Sequence, residues 1–215
     1  MTYDWTAAMA RKSNRQTAMR TRIAAAAARI MAEDGVDDFA LAKRKAARQL
    51  GALDTQALPR NDEIEAELRA YRALYHPDEH ARLIEQLRRV ALNAMRALER
   101  FHPYLTGPVL KGTAGPYAEI DVQLFPDSAK DVEIFLLDRG IPFATHEARR
   151  YSGDKAHPVS IIMLVWDGVP VRLSVFDPRI ERLALKTSIA GRVLERAGMA
   201  EVSALLSSDQ ADKSR

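Results

Sequence analysis

The chain of 215 residues contains no cysteine. Disulfides, thiolate nucleophiles and cysteine-ligated metal sites are therefore excluded, and the composition is consistent with a reducing cytoplasm. A long apolar run is also missing. The longest near the N-terminus, "IAAAAARIMA", is interrupted by Arg29 and is too short to span a bilayer, so no membrane partner is expected. The opening "MTYDWTAAMARKSNRQ" lacks the basic-then-apolar order of a secretion signal. There is no Walker-type loop, no dinucleotide fingerprint and no Ser-His-Asp order. Internal repeats and low-complexity linkers are absent too. The net charge of +3 is small, which removes whole-molecule electrostatic steering as an argument.

What is present divides by periodicity. Residues 1–104 read as a helical region. Its first 22 residues carry Arg11, Lys12, Arg15, Arg20 and Arg22 against the single acid Asp4. They read either as a flexible basic arm able to meet nucleic acid or as a solvated, frayed terminus. "RTRIAAAAARIMAEDG" predicts a helix stopped at Gly35, and "DDFALAKRKAARQLG" one that opens on Asp caps and stops at Gly51. In "NDEIEAELRAYRALYHP", Ile64, Leu68, Tyr71 and Tyr75 form an apolar stripe that ends at His76-Pro77. The clearest helix spans 78–102, with Leu83, Leu87, Val90, Ala94 and Leu98 on one face and Pro103 closing it.

From about residue 105 to 215 the pattern becomes mixed. "PVLKG" and "AEIDVQLF" read as strands, and "SAKDVEIFLLDRGI" as a helix with Ser128 as cap and Gly140 as stop. "FATHEARRY" reads as a strand. "HPVSIIMLVWDGVPVRLSVFDP" reads as two strands joined at Asp167-Gly168, a tight-hairpin pair. The chain reads as helical again from Glu181, with a break near Gly198 and a disordered tail "SSDQADKSR". The fold class expected is α+β: an N-terminal helical region followed by a mixed, mostly antiparallel sheet with flanking helices.

The chemistry concentrates in "VLKGTAGPYAEIDVQLF", residues 109–125. Glu119 and Asp121 share parity on a strand and so project to one side. Two such carboxylates suit Mg²⁺, which takes a few carboxylate oxygens and completes its shell with water and substrate phosphate. Gly112-Thr113 upstream is a turn whose N–H groups can meet a phosphate, and Lys111 beside it can add a cation.

The stretch "KGTAGPYAEIDVQLF" resembles the signature of the DNA polymerase beta-like nucleotidyltransferase superfamily, especially its small bacterial members. Gly112-Thr113 matches the Gly-Ser element and Glu119-Ile120-Asp121 the acid pair. "RGIPF" and the later hairpin also follow the family layout. The resemblance covers residues 105–180. It implies Mg²⁺ on Glu119 and Asp121, and a nucleoside triphosphate held near Lys111, Gly112 and Thr113. The activity it implies is transfer of a nucleoside monophosphate to an acceptor.

Three departures stand in the sequence. Only "AGPYA" separates Gly112-Thr113 from the acids, where the family has a helix-length stretch. The first acid is Glu rather than Asp. In "VPVRLSVF", Arg172 occupies the place of the family's third carboxylate, and a guanidinium cannot ligate a metal. Arg172 can instead balance the two acids, which leaves a binding protein of the same fold without transfer chemistry as an alternative.

A second resemblance competes. "RIAAAAARIMAEDGVDDFALAKRKAARQLG" is similar to the opening of TetR-type DNA-binding regions. That likeness implies phosphate contacts from Lys43, Arg44, Lys45 and Arg48, and a recognition helix where this chain has Pro59 and an acidic turn. The same residues also read as an alanine-rich helical pair packing on a core. His76 and His80, at i and i+4, could hold a metal only on a continuous helix, and Pro77 lies between them.

Overall fold

In the computed structural model, residues 5–36, 38–52, 58–75, 77–186 and 193–213 are described. His76 and residues 1–4, 37, 53–57, 187–192 and 214–215 lie outside them. The chain forms two compact units that divide between His80 and Ala81. The change of periodicity near residue 104 comes later, because the helix that precedes it belongs mostly to the second unit.

The first unit is built from α1 (Trp5–Glu33), α2 (Phe39–Gln49) and α3 (Asn61–Tyr75). Residues from Trp5 onward are helical, so the basic N-terminal segment is the start of α1 rather than an arm. Asp38 caps α2 as its sequence predicts, accepting from the N–H groups of Ala40 and Leu41. The α3 terminus is closed from within: the Glu63 carboxylate accepts the Arg60 N–H at 2.6 Å, the second half of a capping box. The helix therefore begins at Asn61, with Arg60 in the cap position. Ile23, Ala27, Ala28, Met31, Ala42, Ala46, Ile64 and Leu68 form the core. Tyr75, expected on the apolar stripe, is 59 % exposed.

In the second unit, α4 (Pro77–Ala97) lays Leu87, Val90, Met95 and Leu98 against a sheet. The α-helix stops five residues short of the expected end. It tightens into a 3₁₀ turn at Glu99–Phe101, and His102 takes a left-handed conformation. The next elements are β1 (Tyr104–Thr106), α5 (Gly107–Lys111), β2 (Ile120–Leu124), α6 (Ala129–Asp138), β3 (Phe143–Ser152), β4 (Lys155–Trp166), β5 (Val169–Val175), β6 (Arg196–Ala197) and α7 (Met199–Lys213).

"PVLKG" is thus a helical turn and not a strand. Pro108 sits at the start of α5, where a missing N–H costs nothing. Residues 181–186 and 193–198 hold no helix, and among the described residues helix resumes at Met199. The expected disordered tail is helical as far as Lys213. Ser128 caps α6 as expected.

The six strands run in the order β3-β4-β5-β2-β1-β6. Only β2 and β5 pair in parallel. Asp167 and Gly168, both at positive φ, make the two-residue turn between β4 and β5. One face of the sheet carries Leu105, Ile120, Val122, Leu124, Ile162, Leu164, Val171 and Leu173, packed with residues of α4, α5, α6 and α7. The other face carries Tyr104, Phe125, Val159, Ile161 and Phe176, which pack with Ile180, Leu185 and Leu194 of the segment that follows β5. The molecule is α+β, with a mixed sheet flanked by helices. No helix of the described residues is long and apolar enough to cross a membrane.

Candidate functional site

Strand parity places Asp121 and Gln123 on the face opposite the helices, because Ile120, Val122 and Leu124 fill the helical side. The parallel register sets Asp121 beside Arg172 and Gln123 beside Ser174. The Arg172 Nε and Nη2 both lie 2.6 Å from Asp121 Oδ1. Its Nη1 lies 3.6 Å from Glu119 Oε2. Glu119, Asp121 and Arg172 therefore form one cluster on one side of the sheet.

The cluster is open at one end and closed at the other. The Asp121 side chain keeps 14 % of its exposure, Arg172 38 % and Glu119 40 %. Burial pushes the Asp121 carboxyl above its ordinary range, and the charge and hydrogen bond of Arg172 pull it back only in part. Arg150 on β3 adds a second cation near the pair. Burial, and then the neighbouring Arg172 charge, lower its own pKa. The ionisable groups of the cluster are two carboxylates and two guanidiniums.

The other Asp121 oxygen faces β1. Tyr104–Thr106 pairs antiparallel with β2, with Thr106 opposite Asp121. Gly107 follows at φ +74°, and a Cβ there would stand 2.5 Å from Asp121 Oδ2. Only glycine allows this backbone so near the carboxylate. The Thr106 hydroxyl donates to the Glu195 carbonyl at 2.6 Å, which ties β1 to the residue preceding β6.

Lys111, Gly112 and Thr113 stand at the opposite end of α5. The Gly112 and Thr113 N–H groups donate to the Val109 and Pro108 carbonyls, so they close the helix instead of facing the acids. A Cβ on Gly112 would meet the Arg88 guanidinium, not Asp121. The Gly-Thr turn selected from sequence therefore stands at the end of α5 away from Gly107, and the strand-to-helix turn beside the acids is Thr106-Gly107. Residues 108–118 lie between Gly107 and Glu119 and include α5.

α5 is held by Arg88. Buried on α4, it donates to the Val109 and Leu110 carbonyls and to both Asp209 oxygens at 2.8 and 3.0 Å. Residues that sequence reasoning missed are thus Thr106, Gly107, Arg150 and Gln123. Spacing from the acids could have found Gly107. Strand parity with Asp121 could have found Gln123, whereas the position of Arg150 relative to the cluster depends on sheet register, which no local pattern carries.

Among the described residues no group of three or more His, Asp or Glu gathers around a point that could hold a metal. The donor set of Glu119 and Asp121 fits one Mg²⁺ completed by water and substrate oxygens, in competition with Arg172. Two carboxylates are too few for a pair of ions. No protein-family model matches the chain, and no curated protein matches it.

Proposed function

We propose that the chain is a nucleotidyltransferase-like protein that takes a nucleoside triphosphate together with Mg²⁺ at Glu119 and Asp121. The observation that carries this reading is the approach of Gly107 to Asp121. A strand, a Gly turn, a short helix and an acid-bearing strand meet there in the order and spacing of the resemblance. Arg172 holds the acids while no cation is present. A divalent ion concentrates more charge than a guanidinium and suits hard oxygen donors. When it enters, Arg172 and Arg150 are released to the phosphate oxygens, for which planar guanidiniums are suited. Metal and triphosphate then bind as a set.

The transfer implied forms a bond from an acceptor oxygen to the α-phosphorus. It breaks the bond from that phosphorus to the oxygen bridging to the β-phosphate, pyrophosphate leaves, and the acceptor proton passes to solvent. Bound Mg²⁺ would supply positive charge at the phosphate oxygens. Glu119 and Asp121 would hold it, and Arg172 and Arg150 would orient the phosphates.

A second reading is favoured by the 2.6 Å Arg172–Asp121 contact: the acids are permanently capped and the fold binds no nucleotide. The TetR-type reading draws no comparable support. Lys43 donates to Asn61 and Lys45 lies 3.6 Å from Asp34, and α3 carries Asp62, Glu63, Glu65 and Glu67, which would repel DNA phosphates.

Calorimetric titration separates the first two readings. Nucleotide binding should need Mg²⁺, and Asp121→Asn should abolish it. Absence of heat with millimolar triphosphate and Mg²⁺, together with a destabilised Asp121→Asn variant, would establish the capped structure.

A further inference from the structure

Gln123 is 2 % exposed. Its amide oxygen is buried and has no hydrogen-bond partner. Leaving such a group unpaired is costly, so its persistence calls for an explanation. Gln123 lines a cavity of about 220 Å³ on the sheet face that carries Asp121. Leu183, Leu185, Val193 and Leu194 give the cavity apolar walls, and Arg182 and Arg196 are its other polar elements.

Arg196 is held in place. Its guanidinium stacks 4.7 Å from the Tyr104 ring centroid, and one nitrogen donates to the Glu181 carbonyl. The other terminal nitrogen, Nη1, is buried and unpartnered. The cavity is therefore lined by an amide with an unpaired acceptor and a guanidinium with an unpaired donor, between apolar walls. A flat heterocycle with hydrogen-bonding atoms along one edge satisfies both, and its faces suit the leucines. Gln123 stands two residues along β2 from Asp121, about 7 Å at the strand rise, and on the same face.

We propose that this cavity is a nucleobase pocket in which Gln123 and Arg196 read the edge of the base. The proposal rests on the nucleotide reading above and adds base selectivity to it. Phosphates would lie toward Asp121 and Arg172, and the base toward Gln123.

The test compares four nucleoside triphosphates and inorganic tripolyphosphate, each with Mg²⁺, and the four free nucleosides, by calorimetry. Wild-type protein is set beside Gln123→Met, which keeps the side-chain length and removes the unpaired amide. One triphosphate should bind at least roughly tenfold tighter than tripolyphosphate, because a site built to hydrogen-bond discriminates strongly. Gln123→Met should bring that triphosphate to about the affinity of tripolyphosphate and leave tripolyphosphate unchanged. Equal binding of all five phosphates, or a preference that survives Gln123→Met, overturns the pocket alone. Gln123-dependent binding of a free nucleoside without binding of any triphosphate keeps the pocket and removes the carboxylate reading. Binding of none of these ligands overturns both.

Discussion

The two units each hold an arginine against a carboxylate at close range, and the carboxylates respond in opposite directions. In the helical unit, Arg20 donates to both Glu63 oxygens, and the Arg60 N–H adds a third bond. Led by Arg20, these bonds pull the Glu63 carboxyl down to about 2. In the sheet unit, Arg172 lies 2.6 Å from Asp121, yet burial keeps that carboxyl above its ordinary value. Glu63 is about one-third exposed and sheds little hydration. Asp121 is closed in by Gly107 on one side and the sheet on the other. A close guanidinium is therefore no measure of how well a carboxylate is satisfied. A surface pair stabilises its helices, while the desolvated Asp121 remains able to gain from a more concentrated positive charge.

Three variants sharpen this contrast, from the largest effect to the smallest. Arg88→Met removes a buried guanidinium from Asp209 and from two α5 carbonyls. It should cost about 3 kcal/mol, in the range for breaking a buried pair by deleting one partner, read as a lower denaturant midpoint. A midpoint within error of wild type would mean that α7 is not pinned through this contact. Gly107→Ala forces a Cβ toward Asp121 at a positive φ and should cost about 1–3 kcal/mol. It should also remove Mg²⁺-dependent triphosphate binding, which a purely structural Gly107 would spare.

Glu63→Gln should have the smallest effect. A lowered carboxyl pKa contributes stability that is present above the unfolded value of 4.5 and is lost as pH falls toward 2. The variant should therefore flatten the stability profile across that window. At neutral pH it should cost less than about 1 kcal/mol, because solvent screens the pair. Parallel profiles for the two proteins between pH 4.5 and 2 would show that the pair contributes nothing.

Much of this organisation was legible in local sequence. Asp38 and Ser128 announced their helices, and Asp167-Gly168 its hairpin. The shared side of Glu119, Asp121 and Arg172 followed from strand parity and the hairpin. What was not legible depends on segments far apart in the chain. "PVLKG" has strand-like composition, but Gly107 and Pro108 start a helix, and Arg88 satisfies its last carbonyls. The polar end of α7 reads as disorder until Asp209 is seen against a buried arginine. Gly112-Thr113 looked like the phosphate turn because it was nearest a familiar pattern, whereas the backbone at Asp121 belongs to Gly107. The change of periodicity near residue 104 does not mark the division between the units, because α4 is helical by pattern and yet buries its leucines against strands.

The central claim is that Arg172 and Mg²⁺ compete for Glu119 and Asp121. Calorimetric titration of Arg172→Met with Mg²⁺ alone tests it most directly. With the guanidinium gone, the acids should bind Mg²⁺ at least roughly tenfold tighter than wild type, about 1.4 kcal/mol, while affinity for the Mg²⁺-triphosphate falls because a phosphate partner is lost. Mg²⁺ binding as weak in Arg172→Met as in wild type would contradict the exchange and leave the acid pair a structural feature of the sheet.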